Sequence, residues 1–211
     1  MLGNLLRLMG DIDGAKECHS KTLALNQDIG KQDGIGSSIF CLGHIDFELG
    51  EYQNAKEKYG QALEIYKNIG DPKSISVGII LSECGKVAVA VEDELEAQSN
   101  FHKALEIGLG VEDISFCLFV LWRLSSYLTL KHQKNNAVEI LSLVTNHPQT
   151  GHTVREKAQK QLVGFKDLLP LKDFASAKGR GQERDVWETV KEMLAWLESL
   201  ELKGAVEAED R

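Results

Sequence analysis

The feature that most constrains the fold of this chain is an internal repeat with a period of 40 residues. The stretch LGNLLRLMGDIDGAKECHSKTLALNQDIG, which begins at Leu2, returns as LGHIDFELGEYQNAKEKYGQALEIYKNIG. Ten positions are identical, where roughly two are expected from ordinary composition in about 35 pairs: Leu2/Leu42, Gly3/Gly43, Gly10/Gly50, Ala15/Ala55, Lys16/Lys56, Glu17/Glu57, Leu23/Leu63, Ile29/Ile69, Gly30/Gly70 and Ile35/Ile75. A period of this length indicates stacked supersecondary units.

Each unit is predicted to hold two helices. In the second copy, Ile39, Leu42, Ile45 and Leu49 recur at three- and four-residue steps, which places them on one helical face. Gly50 interrupts the pattern, and a second apolar face follows from Tyr52 to Ile69. Small residues then have a geometric role, because a larger side chain at Gly43 or Ala55 would push two antiparallel helices apart.

These positions resemble the tetratricopeptide repeat (TPR) family. The motif L-G-x7-G-x4-A-x3-[YF]-x2-A-L is present as Leu42, Gly43, Gly50, Ala55, Tyr59, Ala62 and Leu63. The 40-residue period resembles the variant of this family that has longer second helices. The resemblance implies an all-α fold, a right-handed α–α superhelix of about four TPR-like helix pairs over residues 1–31, 32–71, 72–111 and 112–147.

The third and fourth copies are degraded. Glu92 stands where the second copy has its turn glycine, so the turn Glu92-Asp93-Glu94 is less clearly marked, and Ser125 replaces the glycine of the first helix in the fourth copy. Degraded outer copies are expected in a solenoid, since terminal units face solvent or a cap.

Residues 148–203 are predicted to form C-terminal capping helices. Thr153 to Leu169 forms one helix in this interpretation, Gly179-Arg180-Gly181 links two helices, and 204–211 is a frayed acidic tail. The last helix has Val186, Val190, Met193, Leu194 and Leu197 inward, and of Trp187 and Trp196 one at most can be fully inward. The arrangement resembles the C-terminal helical-repeat regions of large bacterial signal-transduction ATPases and transcriptional regulators.

Composition argues against several functional classes. Lys and Arg number 24 against 32 Asp and Glu, a net charge of −8, which disfavours nucleic acid and anionic membrane surfaces as partners. The apolar runs are too short to span a membrane. The four cysteines are widely spaced, which is typical of reduced, buried thiols, and we expect a cytoplasmic protein.

We expect neither an enzyme nor a metal or cofactor site. Cys41 and His44 are three residues apart on one predicted helix, but a structural zinc site needs four ligands at recognisable spacing. The sequence also lacks a nucleophile elbow and a phosphate-binding loop.

The TPR resemblance instead implies a binding face on the concave side, which the first helix of each unit lines. The family's binding positions lie three residues before and one, four and five residues after the glycine of this helix. Among the residues at these positions of the sequence are Asn4, Arg7, Phe40, His44, Phe47, Lys86, Trp122 and Ser126. Polar and cationic members beside exposed phenylalanines would suit an extended peptide with acidic character. The family's two-carboxylate clamp for chain termini is not reproduced.

Two functional hypotheses follow. In the first, the chain is a non-catalytic scaffold that binds a protein or peptide in the concave groove. In the second, it is the detached sensor or scaffold segment of a bacterial regulatory ATPase or transcriptional regulator. The first helix of copy one is also short, and it leaves apolar residues such as Leu5 and Leu8 uncovered, so an upstream segment or a second copy of the chain would cover this edge.

Overall fold

The computed structural model describes the backbone of residues 2–209 and the side chains of residues 2–200. The helices in chain order are α1 (Leu2–Leu8), α2 (Ile12–Asp28), α3 (Gln32–Glu48), α4 (Tyr52–Ile69), α5 (Ile75–Ala90), α6 (Glu94–Gly110), α7 (Ile114–Leu130), α8 (Lys134–Asn146), α9 (His152–Gly164), a 3-10 turn (Phe165–Asp167), α10 (Leu171–Glu183) and α11 (Val186–Glu209). Within the described residues, no helix has the length and apolarity needed to cross a bilayer.

The first eight helices form four pairs that stack on one another. The members of each pair pack together (α1/α2, α3/α4, α5/α6, α7/α8), and each second helix also packs against the first helix of the next pair. Since each of these eight helices contacts its neighbours in the chain, the described residues form an all-α helical-repeat superhelix, which confirms the predicted fold class.

One turn geometry recurs at six of the helix junctions. The residue two places after the helix end has a positive φ: Gly10, Gly30, Gly50, Glu92, Glu112 and His132. Glu92 has a φ of 58°, so it adopts the left-handed conformation of the glycine it replaces. In three of these turns the next residue is an aspartate that caps the following helix, as Asp93 does by accepting a hydrogen bond from the Glu96 amide at 3.1 Å.

Small residues set the distance between paired helices, as the sequence predicted. A Cβ atom added at Gly43 would lie 2.8 Å from Cε1 of Tyr59, closer than such atoms ever approach. Gly85 faces Phe101 in the same way at 3.0 Å, one unit further along. Ala55 and Ala62 are fully buried. These contacts confirm that the repeat motif encodes packing.

The buried core is unevenly distributed along the superhelix. Most buried apolar side chains belong to one cluster that runs from α5 to α11. In α1 and α2 only Gly3, Ala15 and His19 are buried. The N-terminal pair is therefore the most weakly packed part of the molecule.

The C-terminal segment caps the last pair and differs from prediction in three details. Gly179-Arg180-Gly181 is not a linker: it lies inside α10, where Gly181 lets this helix approach α8. The predicted helix from Thr153 to Leu169 ends at Gly164 and continues as the 3-10 turn. The backbone of α11 is helical through Glu209, so this helix extends into the segment predicted as an acidic tail; residues 210 and 211 lie outside the described residues.

The last helix is oriented as its apolar pattern predicted. Val186, Val190, Met193, Leu194 and Leu197 are all buried. Trp187 and Trp196 are both half-buried and pack against the core. Each of the two tryptophans is therefore partly covered, and neither is fully inward.

Candidate functional site

The first helices of the four pairs and α9 surround one cavity of about 230 Å³. Its walls carry Arg7 from α1; Phe40, His44 and Glu48 from α3; Ile79, Glu83 and Lys86 from α5; Phe119, Trp122 and Arg123 from α7; and Thr153, Val154 and Lys157 from α9. α1 and α9 are 150 residues apart in the chain, so the curvature of the superhelix brings its two ends to the same cavity. α9 thus takes the place of a fifth first helix.

Five of the eight residues predicted for the binding face line this cavity: Arg7, Phe40, His44, Lys86 and Trp122. The other three lie elsewhere: Asn4, Phe47 and Ser126. Asn4 is exposed on α1, and Ser126 is half-buried on α7. Phe47 packs against Tyr52 with tilted rings and 5.2 Å between ring centroids, and Lys86 Nζ lies 3.4 Å from the Phe47 ring centroid.

The aromatic residues are more covered than predicted. Phe40 and Phe47 are half-buried, because Phe40 packs against His44 and Tyr59 and Phe47 against Tyr52. Trp122 is 5% exposed, and its indole N–H donates a hydrogen bond of 2.5 Å to Gln161 of α9. The prediction of two exposed phenylalanines is therefore wrong, since neighbouring aromatic side chains cover them.

A buried carboxylate organises the polar wall. Glu83 is 1% exposed and accepts hydrogen bonds from the Arg123 guanidinium and, at 3.1 Å, from Lys86 Nζ. His44 Nδ1 lies 3.8 Å from the same carboxylate and shares a hydrogen bond of 2.9 Å with the Tyr59 hydroxyl. Two cations on one carboxylate compensate much of the cost of burying it.

These contacts shift the pKa values of the cluster. Burial by itself would raise the pKa of Glu83, but the charges of Arg123 and Lys86 outweigh burial and lower it to about 2. Burial lowers the pKa of His44 to about 4, although the Glu83 charge opposes this. Burial likewise lowers the pKa of Lys86 to about 8. At pH 7 His44 is neutral, so the cationic strip predicted from Arg7, His44 and Lys86 lacks one of its charges.

The rim of the cavity carries two further cations. Arg7 pairs with Glu48 of α3, and both side chains are partly exposed. Lys157 lies on the exposed side of α9, and no carboxylate is within ion-pair distance of it in the described part of the chain. Burial, followed by the charges of Arg123 and Arg7, lowers the pKa of Lys157. The described wall therefore has four basic side chains, including Lys86, against two carboxylates.

Sequence reasoning missed Glu83, Arg123 and Lys157. The first two had a detectable signal: they are opposite charges 40 residues apart, at equivalent positions of adjacent repeats. Lys56 and Glu96 form a second pair at the same spacing. Lys157 had no such signal, because α9 lies outside the repeat and its position depends on the curvature of the whole superhelix.

Two cysteines differ from the expectation of buried thiols. Cys84 and Cys117 are buried, whereas Cys18 and Cys41 are half-buried. Cys41, the residue paired with His44 in the metal hypothesis, has its thiol pKa raised by burial. His44 Nδ1 shares its hydrogen bond with the Tyr59 hydroxyl and not with the Cys41 thiol.

Comparison with known proteins supports the repeat assignment. Residues 35–108 match the family model described as tetratricopeptide repeat. This range covers the second and third helix pairs, where the motif is best preserved. None of the curated proteins matches the chain in sequence.

Solved structures with the same fold include nearly identical TPR-like repeats attributed to a kinesin light chain of Podosopora anserina. That structure is 18% identical with a TM-score of 0.57, over 97% of this chain and 93% of the other. BtubC (BKLC) from P. vanneervenii is 17% identical with a TM-score of 0.62, over 94% of this chain and 78% of the other. At these identities the similarity shows the fold alone. The family match over residues 35–108, together with this helical-repeat fold, supports a tetratricopeptide repeat protein.

Proposed function

We propose that this protein is a non-catalytic scaffold that binds a protein or peptide through the cavity inside its superhelix. TPR repeats are in general protein-interaction scaffolds, and side chains from five helices of the chain line this one cavity. The observation that carries the proposal is its mixed wall, in which aromatic and aliphatic surface lies beside an excess of basic side chains. Such a wall suits a peptide segment with acidic character.

The dimensions of the cavity limit what the partner inserts. About 230 Å³ is below the roughly 300–1,000 Å³ typical of small-molecule sites. α9 closes one side of the groove through the Trp122–Gln161 hydrogen bond. A partner therefore places one or two side chains inside, and its backbone lies across the rim near Thr153 and Lys157.

The proposal is tested by blocking the entrance. Thr153 is exposed and lines the cavity, so Thr153→Trp should fill the mouth without disturbing the core. His152 is its neighbour on α9 and lies outside the wall, so His152→Trp adds the same bulk beside the site. Arg7 and Lys86 are poorer choices for a test, since reversing their charge would break internal ion pairs.

The measurement is affinity capture from a lysate of the source organism, read by mass spectrometry, with all three proteins as bait. We expect the wild type and His152→Trp to capture the same partner in similar amounts. Thr153→Trp should capture at least tenfold less of it. Capture that is equal with all three baits, or no capture by any of them, would contradict binding in the cavity.

We also propose that a second copy of the chain covers the outer face of α1. Leu2 and Leu5 are 61% and 54% exposed, whereas the equivalent residues of the next repeat, Leu42 and Ile45, are 7% and 0% exposed. Leu42 and Ile45 are buried because they pack against the preceding pair. The face of α1 thus has the composition of a buried repeat interface, and the partner contact would form between two copies of this face.

A further inference from the structure

The arginines of the cavity wall retain unused hydrogen-bond donors. One terminal nitrogen of Arg7 donates to Glu48, and one terminal nitrogen of Arg123 donates to Glu83. The other terminal nitrogen of each guanidinium, Nη2 of Arg7 and Nη1 of Arg123, donates to no group in the part of the chain described. An arginine carries five N–H donors, so each side chain keeps capacity for a further acceptor.

Arg123 is also held in a fixed orientation. Its guanidinium carbon lies 3.9 Å from the ring centroid of Trp122 and 5.4 Å from that of Phe119. Glu83 fixes one end of the guanidinium by an ion pair with a side chain that is itself buried. Stacking and pairing together preorganise the remaining donor, which reduces the ordering cost of binding a ligand there.

The charges around this donor are unbalanced. Four basic side chains and two carboxylates form the polar wall, and His44 is neutral at pH 7. Arg7, Arg123 and Lys157 all line this one cavity, and the pKa of Lys157 is lowered by burial and then by the charges of Arg123 and Arg7. A purely apolar ligand would remove these cations from water without compensation, whereas an anion would relieve their repulsion.

We propose that the cavity is an oxyanion site, in which one carboxylate or phosphate group of a bound peptide lies between Arg7, Arg123 and Lys157. The inference rests on the proposed function and makes it specific: the inserted side chain is an aspartate, a glutamate or a phosphorylated residue. Arg7 and Arg123 supply directed N–H donors, and Lys157 supplies a charge at the mouth. The site is completed by α9, a helix outside the repeats.

The proposal is tested with two small anions, inorganic phosphate and glutarate, titrated at constant ionic strength against sodium chloride. The readout is the indole N–H signal of Trp122 in a ¹H–¹⁵N NMR spectrum, since this ring stacks on Arg123. Lys157→Gln removes the rim charge without breaking an ion pair in the described structure, and Lys160→Gln removes an exposed charge of the same helix that does not line the cavity.

We expect a saturable shift of the Trp122 signal with at least one anion, weakened at least fivefold in Lys157→Gln and unchanged in Lys160→Gln. Tighter binding of phosphate would assign the site to a phosphorylated side chain, and equal or tighter binding of glutarate to an acidic one. The absence of a saturable shift, or equal affinity in Lys157→Gln, would overturn the oxyanion site. If Thr153→Trp still abolished capture of a partner, the cavity would remain the binding site and only its anion specificity would be wrong.

Discussion

At the scale of single residues, the small residues of the repeat act through helix packing, and His44 acts through its charge state. Gly43 and Ala55 were identified from spacing alone and lie where two helices touch, because a missing or minimal side chain has one steric consequence wherever it occurs. The charge state of His44 could not be inferred in this way. It depends on Tyr59, Glu83 and the degree to which the cavity excludes water, and these come together only in the folded chain.

His44 should make the fold sensitive to mild acid. Its pKa is about 4 in the folded chain against about 6.5 for an ordinary histidine, so the unfolded chain binds a proton first as the pH falls. The free energy of unfolding should therefore decrease by about 1–2 kcal/mol from pH 7 to pH 5. This range is set below the full effect of the pKa difference because the His44 ring is partly exposed. Glu83, with a pKa of about 2, stays ionised in this range, and burial of His19 acts in the same direction as that of His44.

Urea unfolding of the wild type and His44→Gln at pH 7, 6 and 5 measures this contribution. Glutamine keeps a polar partner for Tyr59 and does not titrate, so the stability of the variant should depend less on pH. The difference between the two proteins isolates His44 from His19. Parallel pH profiles would show that the ring is protonated as easily in the folded chain as in the unfolded one.

At the scale of helices, the turn geometry is more constant than the sequence that encodes it. In the first three of these turns the residue with positive φ is a glycine. Later in the chain Glu92, Glu112 and His132 adopt the same left-handed conformation. The stacking of the flanking helices imposes it on residues that disfavour it. Helix pairs could thus be predicted from apolar periodicity where the turn signal was lost. The path of α10 could not, because two glycines in a short segment suggested a linker.

Gly179 and Gly181 should respond oppositely to the same substitution. A Cβ atom at Gly181 would lie 2.7 Å from the Cβ of Ser142 and 2.8 Å from the carbonyl carbon of Glu139, so α10 would have to move away from α8. We expect Gly181→Ala to lower the free energy of unfolding by about 1–3 kcal/mol through overpacking. Gly179 has no atom within 4 Å of such a Cβ, and Gly179→Ala should raise it by about 0.5–1 kcal/mol through helix propensity.

Urea denaturation of the two variants, with circular dichroism to confirm that each is helical, decides the prediction. Because both residues belong to α10, a general weakness of this helix would affect them alike. Effects of the same sign would mean that Gly181 does not form the close contact between α8 and α10.

At the scale of the whole molecule, curvature produces the candidate site. Five of the eight predicted residues line the cavity, since each repeat presents equivalent positions of its first helix to the inside. The repeat alone does not determine how far the superhelix turns. That Lys157 of α9 lines the same cavity as Arg7 of α1 could therefore not be predicted from it. The ion pairs of Arg7 with Glu48 and of Arg123 with Glu83, by contrast, each join the first helices of adjacent repeats.

The same repetition leads to a prediction about self-association. At the C-terminal end, α8 packs against α9 and α10, and α11 packs on α6 and α7, so the last pair is covered. At the other end Leu2, Leu5, Leu8 and Met9 are each more than half exposed. With the far end capped, head-to-tail stacking of copies is disfavoured, so the proposed contact joins two α1 faces about a two-fold axis.

Sedimentation velocity of the 211-residue chain over a range of concentrations measures this association. We expect a monomer–dimer equilibrium that Leu5→Glu shifts toward monomer by at least tenfold in Kd, because the dimer would bury a carboxylate of each copy in apolar surface. Leu171→Glu is the matched control, since Leu171 is a leucine at the start of α10 that is 79% exposed and far along the chain from the α1 face. A wild-type chain that stays monomeric at high concentration, or a dimer that both variants weaken equally, would show that a second copy does not cover α1.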